Sequence, residues 1–177
     1  MKATGIVRRI DDLGRVVVPK EIRRTLRIRE GDPLEIFVAR EGEVILKKYS
    51  PINELGEFAE EYAQSIFDAV GQKILISDRD EYIAIAGVSK KDYLNKKVGQ
   101  MVEDAMEKRE SVTDKNEYTL EVVDGKEEQV SSFLIQPIIS NGDPVGSIVM
   151  LFDKGAVSDV ESTLCQTAAN FLGRQME

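Results

Sequence analysis

The first fifty residues are divided by turn-forming residues so often that they cannot build a hydrophobic core alone. One helical segment, which begins at Pro19, is surrounded by four short apolar runs, each a predicted strand, at residues 5–10, 15–18, 34–39 and 44–48. Folding units below roughly 60 residues bury only a marginal fraction of their surface. The chain has no histidine, and its single cysteine is Cys165, so no disulfide or ordinary zinc site stabilises this segment. We therefore predict an obligate homodimer through residues 1–50, with interleaved strands.

The charge of the chain changes sign at the end of the same segment. Residues 1–50 carry twelve Lys/Arg and eight Asp/Glu, a net charge of +4, whereas residues 51–177 have a net charge of −12. A bound partner responds to the local field rather than to the total charge of −8. The pattern predicts two domains, residues 1–50 and 56–177, joined by a linker at 51–55. It also indicates an anionic polymer as the partner of the first domain.

Arginines supply most of the positive charge in the first domain. Ile22 and Leu26 give the predicted helix one apolar face, which leaves its adjacent arginines elsewhere on the surface. A guanidinium group can hold a phosphate or a guanine edge through two parallel hydrogen bonds. A plain solvated surface is the alternative interpretation. The candidate DNA-binding residues are Arg8, Arg9, Arg15, Arg23 and Arg24.

Several stretches of this domain resemble one known family. The AbrB-type swapped-hairpin DNA-binding domain of bacterial transition-state regulators is similar to Thr4–Ile10, Asp12–Pro19, Glu21–Arg24 and Leu34–Ile36. The resemblance implies that two chains exchange hairpins and that arginines at the positions of Arg8, Arg15, Arg23 and Arg24 meet double-stranded DNA. Arg9 corresponds to a further basic position. Many family members have glycine where this chain has Arg27, so the resemblance does not predict how the helix ends in this chain.

The second domain is predicted to be one antiparallel sheet flanked by helices, which makes the whole chain α+β. Its predicted strands are Lys73–Ser77, Tyr82–Gly87, Tyr118–Asp124, Gln129–Ser140 and Val145–Phe152, and its predicted helices are Leu55–Val70, a short turn at Lys90–Leu94, Val98–Lys108 and one opened by a capping box at Ser158–Glu161. The predicted buried stripe of the last helix is Val160, Leu164, Ala168, Phe171 and Leu172. This order, together with Pro144–Ile148, resembles a GAF domain, which implies a small-molecule-sensing fold.

The sequence identifies no cofactor and no metal site, and a small-molecule ligand of the GAF-like domain stays open. Six residues can line a pocket, but each fits a plain core or surface position better. They are Tyr82, Tyr93, Met101, Met106, Tyr118 and Phe133. Cys165 lies near the apolar stripe of the last helix, so we interpret it as a small buried residue rather than a redox sensor or chromophore link. Terminal helices of GAF-like domains commonly pair between chains, which makes a homotetramer an alternative to packing within one subunit.

The two resemblances together predict a DNA-binding transcriptional regulator of sporulating bacteria. An antitoxin-type or adaptor module that binds another protein is the alternative, and an enzyme is not expected, because the chain lacks histidine and shows no spaced catalytic constellation. No apolar run approaches the roughly 20 residues of a membrane span, and the first residues lack a signal-peptide stretch. With a single cysteine, the expected location is the cytoplasm. The operator sequence, and whether binding activates or represses, are not predicted.

Overall fold

The structure, a computed structural model, describes residues 5–40, 42–50, 52 and 56–176. It divides the chain into two compact units, residues 1–49, here called the head, and residues 50–177, here called the body. Most of the predicted linker at 51–55 lies outside the described residues. The same holds for Thr4, at the start of the family-like motif, and for Leu55, the predicted first residue of the long helix.

The head contains one short helix followed by a hairpin. Helix α1 (Lys20–Thr25) starts directly after Pro19, and strands β1 (Leu34–Val38) and β2 (Val44–Lys48) pair antiparallel, which confirms the predicted hairpin. The helix ends with Arg27 in the left-handed region at φ +52°. The N–H of Ile28 donates to the carbonyl of Arg23 (2.8 Å), and that of Arg27 donates to Arg24 (3.4 Å). This is the usual glycine-terminated helix end, built here with arginine.

The strands predicted at residues 5–10 and 15–18 are wrong for the single chain. Neither run belongs to a sheet in the described residues, although the turn between them is formed. The N–H of Asp11 donates to the carbonyl of Arg15 (3.0 Å), and Gly14 has φ +78°, as expected for its turn position. A strand requires a ladder of hydrogen bonds, and no strand in the described part of the chain pairs with these runs.

Most apolar side chains in the described part of the head are exposed to solvent. Among the head residues that the structure describes, only Pro19 is buried. Val7 is 87% exposed, and the hairpin pairs Ile36 with Leu46 and Val38 with Val44 on one face of the sheet. All four of these hairpin side chains are exposed. The described residues of the head therefore enclose no core within one chain.

The body is built on a sheet in the strand order β4-β3-β9-β8-β5, with β6 and β7 as a separate hairpin. Its elements are α2 (Gly56–Val70), β3 (Lys73–Ser77), β4 (Tyr82–Ala86), α3 (Lys90–Tyr93), α4 (Gln100–Lys108), β5 (Val112–Asp114), β6 (Tyr118–Val123), β7 (Lys126–Val130), β8 (Ser132–Ser140), β9 (Asp143–Phe152) and α5 (Asp159–Arg174). All pairings are antiparallel, as predicted. The prediction of a single sheet is corrected, and β5 is an additional strand.

The predicted strand Gln129–Ser140 is two strands. At Ser131 the chain leaves the β6–β7 hairpin and enters the main sheet, where the N–H of Ser131 donates to the carbonyl of Phe152 (2.8 Å). The hairpin turns at Asp124–Gly125, one residue earlier than predicted. Pro137 lies inside β8, beyond Phe133–Ile135, where β5 pairs with that strand. Its missing N–H therefore removes no bond to β5.

Hydrophobic cores lie on both faces of the main sheet. Ile74 and Met150 face α2 and α5 in the first core, whereas Leu75 and Val149 face α4 and the β6–β7 hairpin in the second. The alternation along each strand explains why neighbouring residues enter different cores. Helix α5 packs closely at Gly173, because a Cβ placed there would lie 2.1 Å from the carbonyl oxygen of Ile139.

The predicted buried stripe of α5 is partly wrong. Ala168 and Leu172 are buried as predicted, but Val160 is 71% exposed and Phe171 is also exposed. Cys165 and Ala169 take the buried positions instead, together with Gly173. Small residues occupy this face because the helix approaches the sheet closely, and the bulky side chains are displaced outward.

Candidate functional site

The candidate arginines lie on three parts of the head. Arg8 and Arg9 precede the turn at residues 11–14, Arg15 follows it, and Arg23 and Arg24 are adjacent on α1. Within the described head, the guanidinium groups of Arg8, Arg9, Arg23 and Arg24 make no hydrogen bond or ion pair. Among the described residues, these four cations are therefore not used in polar contacts that stabilise the fold.

Arg15 differs from the other four because a carboxylate holds it. Asp11 Oδ2 accepts a hydrogen bond from Arg15 Nε (2.9 Å), while Asp11 Oδ1 accepts from the backbone N–H groups of Leu13 (3.0 Å) and Arg15 (2.7 Å). The bond from the Arg15 N–H is the main cause that lowers the pKa of Asp11. The Arg15 side chain is still 70% exposed. The sequence predicted the turn but not the contact between Asp11 and Arg15. An Asp four residues before an Arg is a common pattern, so the spacing alone does not indicate an ion pair.

Arg23 occupies a half-buried position on the helix. Its Nε is buried and without a hydrogen-bond partner among the described residues. Arg24, the next residue, is exposed. The two side chains of the predicted pair therefore have different surroundings in the single chain.

Asp32 connects the end of α1 to the hairpin. Its carboxylate accepts from the backbone N–H of Arg29 (2.7 Å) and lies 3.8 Å from Lys48 Nζ. Lys48 Nζ also donates to the carbonyl of Arg27 (3.1 Å). The helix that carries Arg23 and Arg24 is thus tied to β2 by a largely buried carboxylate.

In the body, most of the candidate pocket residues are core residues. Tyr82, Tyr93, Met106 and Phe133 are buried in the second core, which confirms that interpretation, while Met101 packs against it partly exposed. The Tyr82 hydroxyl donates to the carbonyl of Val122 (2.7 Å), and burial raises its pKa. Tyr118 is at the border, exposed on one side and tilted against Phe133 with 5.4 Å between the ring centroids.

One polar network fastens the β6–β7 hairpin to the rest of the body. The Tyr93 hydroxyl donates to the Glu128 carboxylate, and Lys73 Nζ lies 3.3 Å from Glu128 and 2.7 Å from Asp153. Lys126 Nζ lies 5.0 Å from the centre of the Tyr93 ring. Strand β7 is therefore linked to β3 and α3 by charged groups at the rim of the second core.

Cys165 is fully buried in the first core, which confirms its interpretation as a small core residue. Burial raises the pKa of its thiol to about 12. Across the described ranges, no group of three His, Cys, Asp or Glu residues is placed to hold a metal ion. None of the helices in the described part of the chain is long and apolar enough to cross a membrane.

Comparison with known proteins covers both units. Residues 54–177 match the family model described as Stage V sporulation protein T C-terminal, transcription factor. Residues 7–54 match the model described as Antidote-toxin recognition MazE, bacterial antitoxin. The chain is 59% identical to Stage V sporulation protein T of Bacillus subtilis (strain 168) over 177 residues, which is 100% of this chain and 99% of that protein.

A second relative matches the N-terminal part. Transition state regulatory protein AbrB of the same strain is 49% identical over 77 residues, which is 44% of this chain and 78% of that protein. Among solved structures, the GAF domain of a phosphoenolpyruvate-protein phosphotransferase from Acinetobacter has a TM-score of 0.58 at 17% identity, over 69% of this chain and 81% of that one. The corresponding domain from Coxiella burnetii has a TM-score of 0.56 at 19% identity, over 69% and 82%. The body thus has a GAF-like fold.

Proposed function

The chain belongs to the family of Stage V sporulation protein T, a transcription factor, and we propose on that basis that its head binds double-stranded DNA as a homodimer. The observation that carries this proposal is the full-length identity of 59% to that protein. The head supports it independently, since it carries a net charge of +4 on a chain whose remainder is acidic. A basic surface of this kind is typical of nucleic-acid-binding domains.

The partner of the head is a second copy of the same segment. Exposed apolar side chains cover residues 5–17 and one face of the hairpin, and only Pro19 is buried among the described head residues. Apolar surface of this extent is unfavourable in water. Hairpin exchange between two chains supplies a ladder for residues 5–10 and 15–18 and covers the face that carries Ile36 and Leu46. This explains why these segments are strand-like in sequence and form no strand in one chain.

The five arginines then contribute ten guanidinium groups to one dimer. Four of the five have no hydrogen-bond or ion-pair partner among the described residues, which leaves them available to phosphate oxygens and base edges. If the dimer makes about six to ten phosphate contacts, affinity falls about 10³- to 10⁵-fold between roughly 50 and 200 mM salt. A slope near zero would show that DNA contact does not depend on these cations.

Substitution of the helix pair tests the assignment. The variant Arg23→Ala/Arg24→Ala is expected to abolish DNA binding in fluorescence anisotropy while the oligomer and its thermal unfolding are retained. Arg109→Ala is a control in the body, where that side chain donates to the carbonyl of Gly142 (2.8 Å). Wild-type affinity in the double variant would contradict the proposed DNA contact.

The body is proposed to join two dimers through α2 and α5. Phe58 on α2 is 53% exposed, Phe171 on α5 is also exposed, and Tyr62 stacks on Phe171 with 5.0 Å between the ring centroids. A groove of about 370 Å³ between the helices is lined by Ile66 and Leu164, among others.

Light scattering after size-exclusion chromatography is expected to give four times the chain mass of 19.8 kDa. A clean dimer would exclude this tetramer, and Phe171→Glu should convert a tetramer to dimers where Gln166→Glu does not.

A second candidate follows from the antitoxin model that matches residues 7–54. In that case the head or the body binds another protein, and a stoichiometric partner should copurify with the chain. The full-length relative favours transcription instead, and with it a non-catalytic protein that works in the cytoplasm, where bacterial DNA lies. Domains of several functions share the GAF-like fold, so the fold does not identify the chemical class of a small-molecule ligand of the body.

A further inference from the structure

We propose that Asp11 is a positioning residue for DNA recognition: it holds the guanidinium group of Arg15 through Nε and leaves both terminal nitrogens for DNA. The proposal rests on the proposed function, because it needs Arg15 at the DNA surface. Asp11 carries the opposite charge to the candidate arginines. Its proposed effect is on selectivity among DNA sequences and not on the overall attraction to DNA.

The contacts between the two residues cross a tight turn. The Asp11 N–H donates to the carbonyl of Arg15 (3.0 Å), and the Asp11 carboxylate accepts from both the N–H (2.7 Å) and the Nε (2.9 Å) of Arg15. Gly14, at φ +78°, allows the chain to reverse between them. Backbone and side chain of Arg15 are therefore fixed by one neighbour.

Stability of the fold does not explain this arrangement of the side chain. The ion pair is solvent-exposed, with 70% of the Arg15 side chain and 37% of the Asp11 side chain accessible. Exposed pairs of this kind contribute little to folding. The backbone bonds to Asp11 Oδ1 are sufficient to close the turn, so the bond to Arg15 Nε has a separate effect.

That effect is to orient the guanidinium plane before DNA arrives. A free arginine loses rotamer freedom when it binds, and prior ordering lowers this loss. With Nε engaged, the two terminal nitrogens still present parallel N–H groups, the geometry that reads guanine O6 and N7 or two phosphate oxygens. In the described head, Arg15 is the one candidate arginine held by a carboxylate.

The negative charge of Asp11 has a second consequence. A carboxylate beside the contact arginine reduces the general attraction to phosphates, which supplies most of the non-specific affinity. Asp11 should therefore lower binding to unrelated DNA and improve binding to the preferred site. The measurable quantity is the ratio of the two affinities.

The variant Asp11→Asn separates the functions of the two carboxylate oxygens. Its side-chain carbonyl still accepts from the N–H groups of Leu13 and Arg15, but an amide nitrogen replaces Oδ2 and cannot accept from Arg15 Nε. Asp12→Asn is a matched control, because Asp12 is exposed, adjacent to Asp11 and without a hydrogen bond to any described residue. Both variants remove one negative charge from the same turn.

Affinities are measured by fluorescence anisotropy on the full-length protein at one salt concentration. The probes are a duplex that the wild-type protein selects from a randomised pool, and a shuffled duplex of the same length and composition. We expect Asp11→Asn to lower the affinity ratio about five- to tenfold, the size of one weakened arginine contact. Asp12→Asn is expected to strengthen both affinities equally and leave the ratio unchanged.

Variants of Arg15 complete the cycle. In an Arg15→Ala background, Asp11→Asn should no longer change the ratio. If sedimentation shows that Asp11→Asn impairs the dimer, Arg15→Lys replaces it as the test. Arg15→Lys keeps the cation and the turn but removes Nε, so it should lower the affinity ratio with Asp11 intact.

Three results overturn the positioning role. One is an effect of Asp11→Asn that persists without Arg15, and another is an equal fall of the ratio in Asp12→Asn. Unchanged binding in Arg15→Ala also overturns it. The proposed function is then still supported if Arg23→Ala/Arg24→Ala abolishes binding, and it fails with the inference if that variant also binds like wild type.

Discussion

The head and the body use the same kinds of residues in opposite ways. Val7 in the head is 87% exposed, whereas Val149 in the body is fully buried, although both lie in runs of β-branched residues. Every strand of the main sheet has a neighbour from its own chain, and helices or a hairpin cover both faces. The head has a single hairpin and no covering layer in the described residues.

The comparison shows that the hydrophobicity of a sequence determines how much apolar surface must be buried. It does not determine whether the same chain or a second copy covers that surface. The body satisfies this requirement within one chain. Under the proposed function the head satisfies it only with a second copy, so its folding and its DNA affinity should both depend on association. Substitutions of matched residues in the two units test this contrast.

The largest effect is expected from Ile36→Lys in the head. It places a charge on the apolar face of the hairpin and should prevent association of heads, while the body retains its near-ultraviolet circular dichroism. DNA affinity should fall about 10²- to 10⁴-fold, the advantage of two linked binding modules over one. The added positive charge favours DNA, so electrostatics cannot account for a loss.

Glu35→Lys is the control for this variant, because Glu35 is exposed on the opposite face of the same strand. It should keep the oligomer intact in sedimentation equilibrium. If Ile36→Lys also keeps the wild-type mass and affinity, the contrast between head and body is wrong.

An intermediate effect is expected from Ile148→Ala in the body. Ile148 is fully buried in the first core, so the truncation should lower the free energy of unfolding by about 2–5 kcal/mol. Chemical denaturation followed by circular dichroism measures it. Val160→Ala on exposed α5 surface should change stability by less than about 0.5 kcal/mol. Equal effects of the two substitutions would refute the burial pattern described above.

The smallest effect concerns how the helices begin. Helix α1 follows Pro19 and has no side-chain cap, whereas Ser158 and Glu161 form a complete capping box at α5. Ser158→Ala should destabilise the body by about 1 kcal/mol. Ser162→Ala, within the same helix, should change stability by less than about 0.5 kcal/mol. Denaturant midpoints that fail to separate the two variants would show that the cap is not significant.

Local patterns predicted the elements whose causes are local. The hairpin at residues 34–48, the capping box at Ser158 and the burial of Cys165 are all confirmed. The break at Ser131 was missed because it comes from distant partners: its hydroxyl donates to the carbonyl of Asp153 (2.7 Å). The exposure of Val160 was missed because helical periodicity does not show that a close approach at Gly173 selects small residues for the buried face.

The composition of the candidate site stays a prediction, and its arrangement did not follow from the sequence. Charge and family resemblance select the arginines, and a glycine-closed turn was expected at Gly14 and is present. The contact between Asp11 and Arg15 depends on how that turn folds back, which spacing alone does not specify. Residues 5–10 and 15–18 form no strand in the described chain, and the proposed pairing with a second copy cannot be seen in the pattern of one sequence.

The enclosed thiol of Cys165 has a practical consequence for measuring the head. Cys165 is the only cysteine of the chain, it is fully buried, and burial raises the pKa of its thiol to about 12, so we expect it to react slowly with maleimide at neutral pH. A cysteine introduced on the head can therefore carry a spin label or a fluorophore without removing the native one. Distances between labels on two subunits would then report directly how far apart the two turns lie in the proposed dimer.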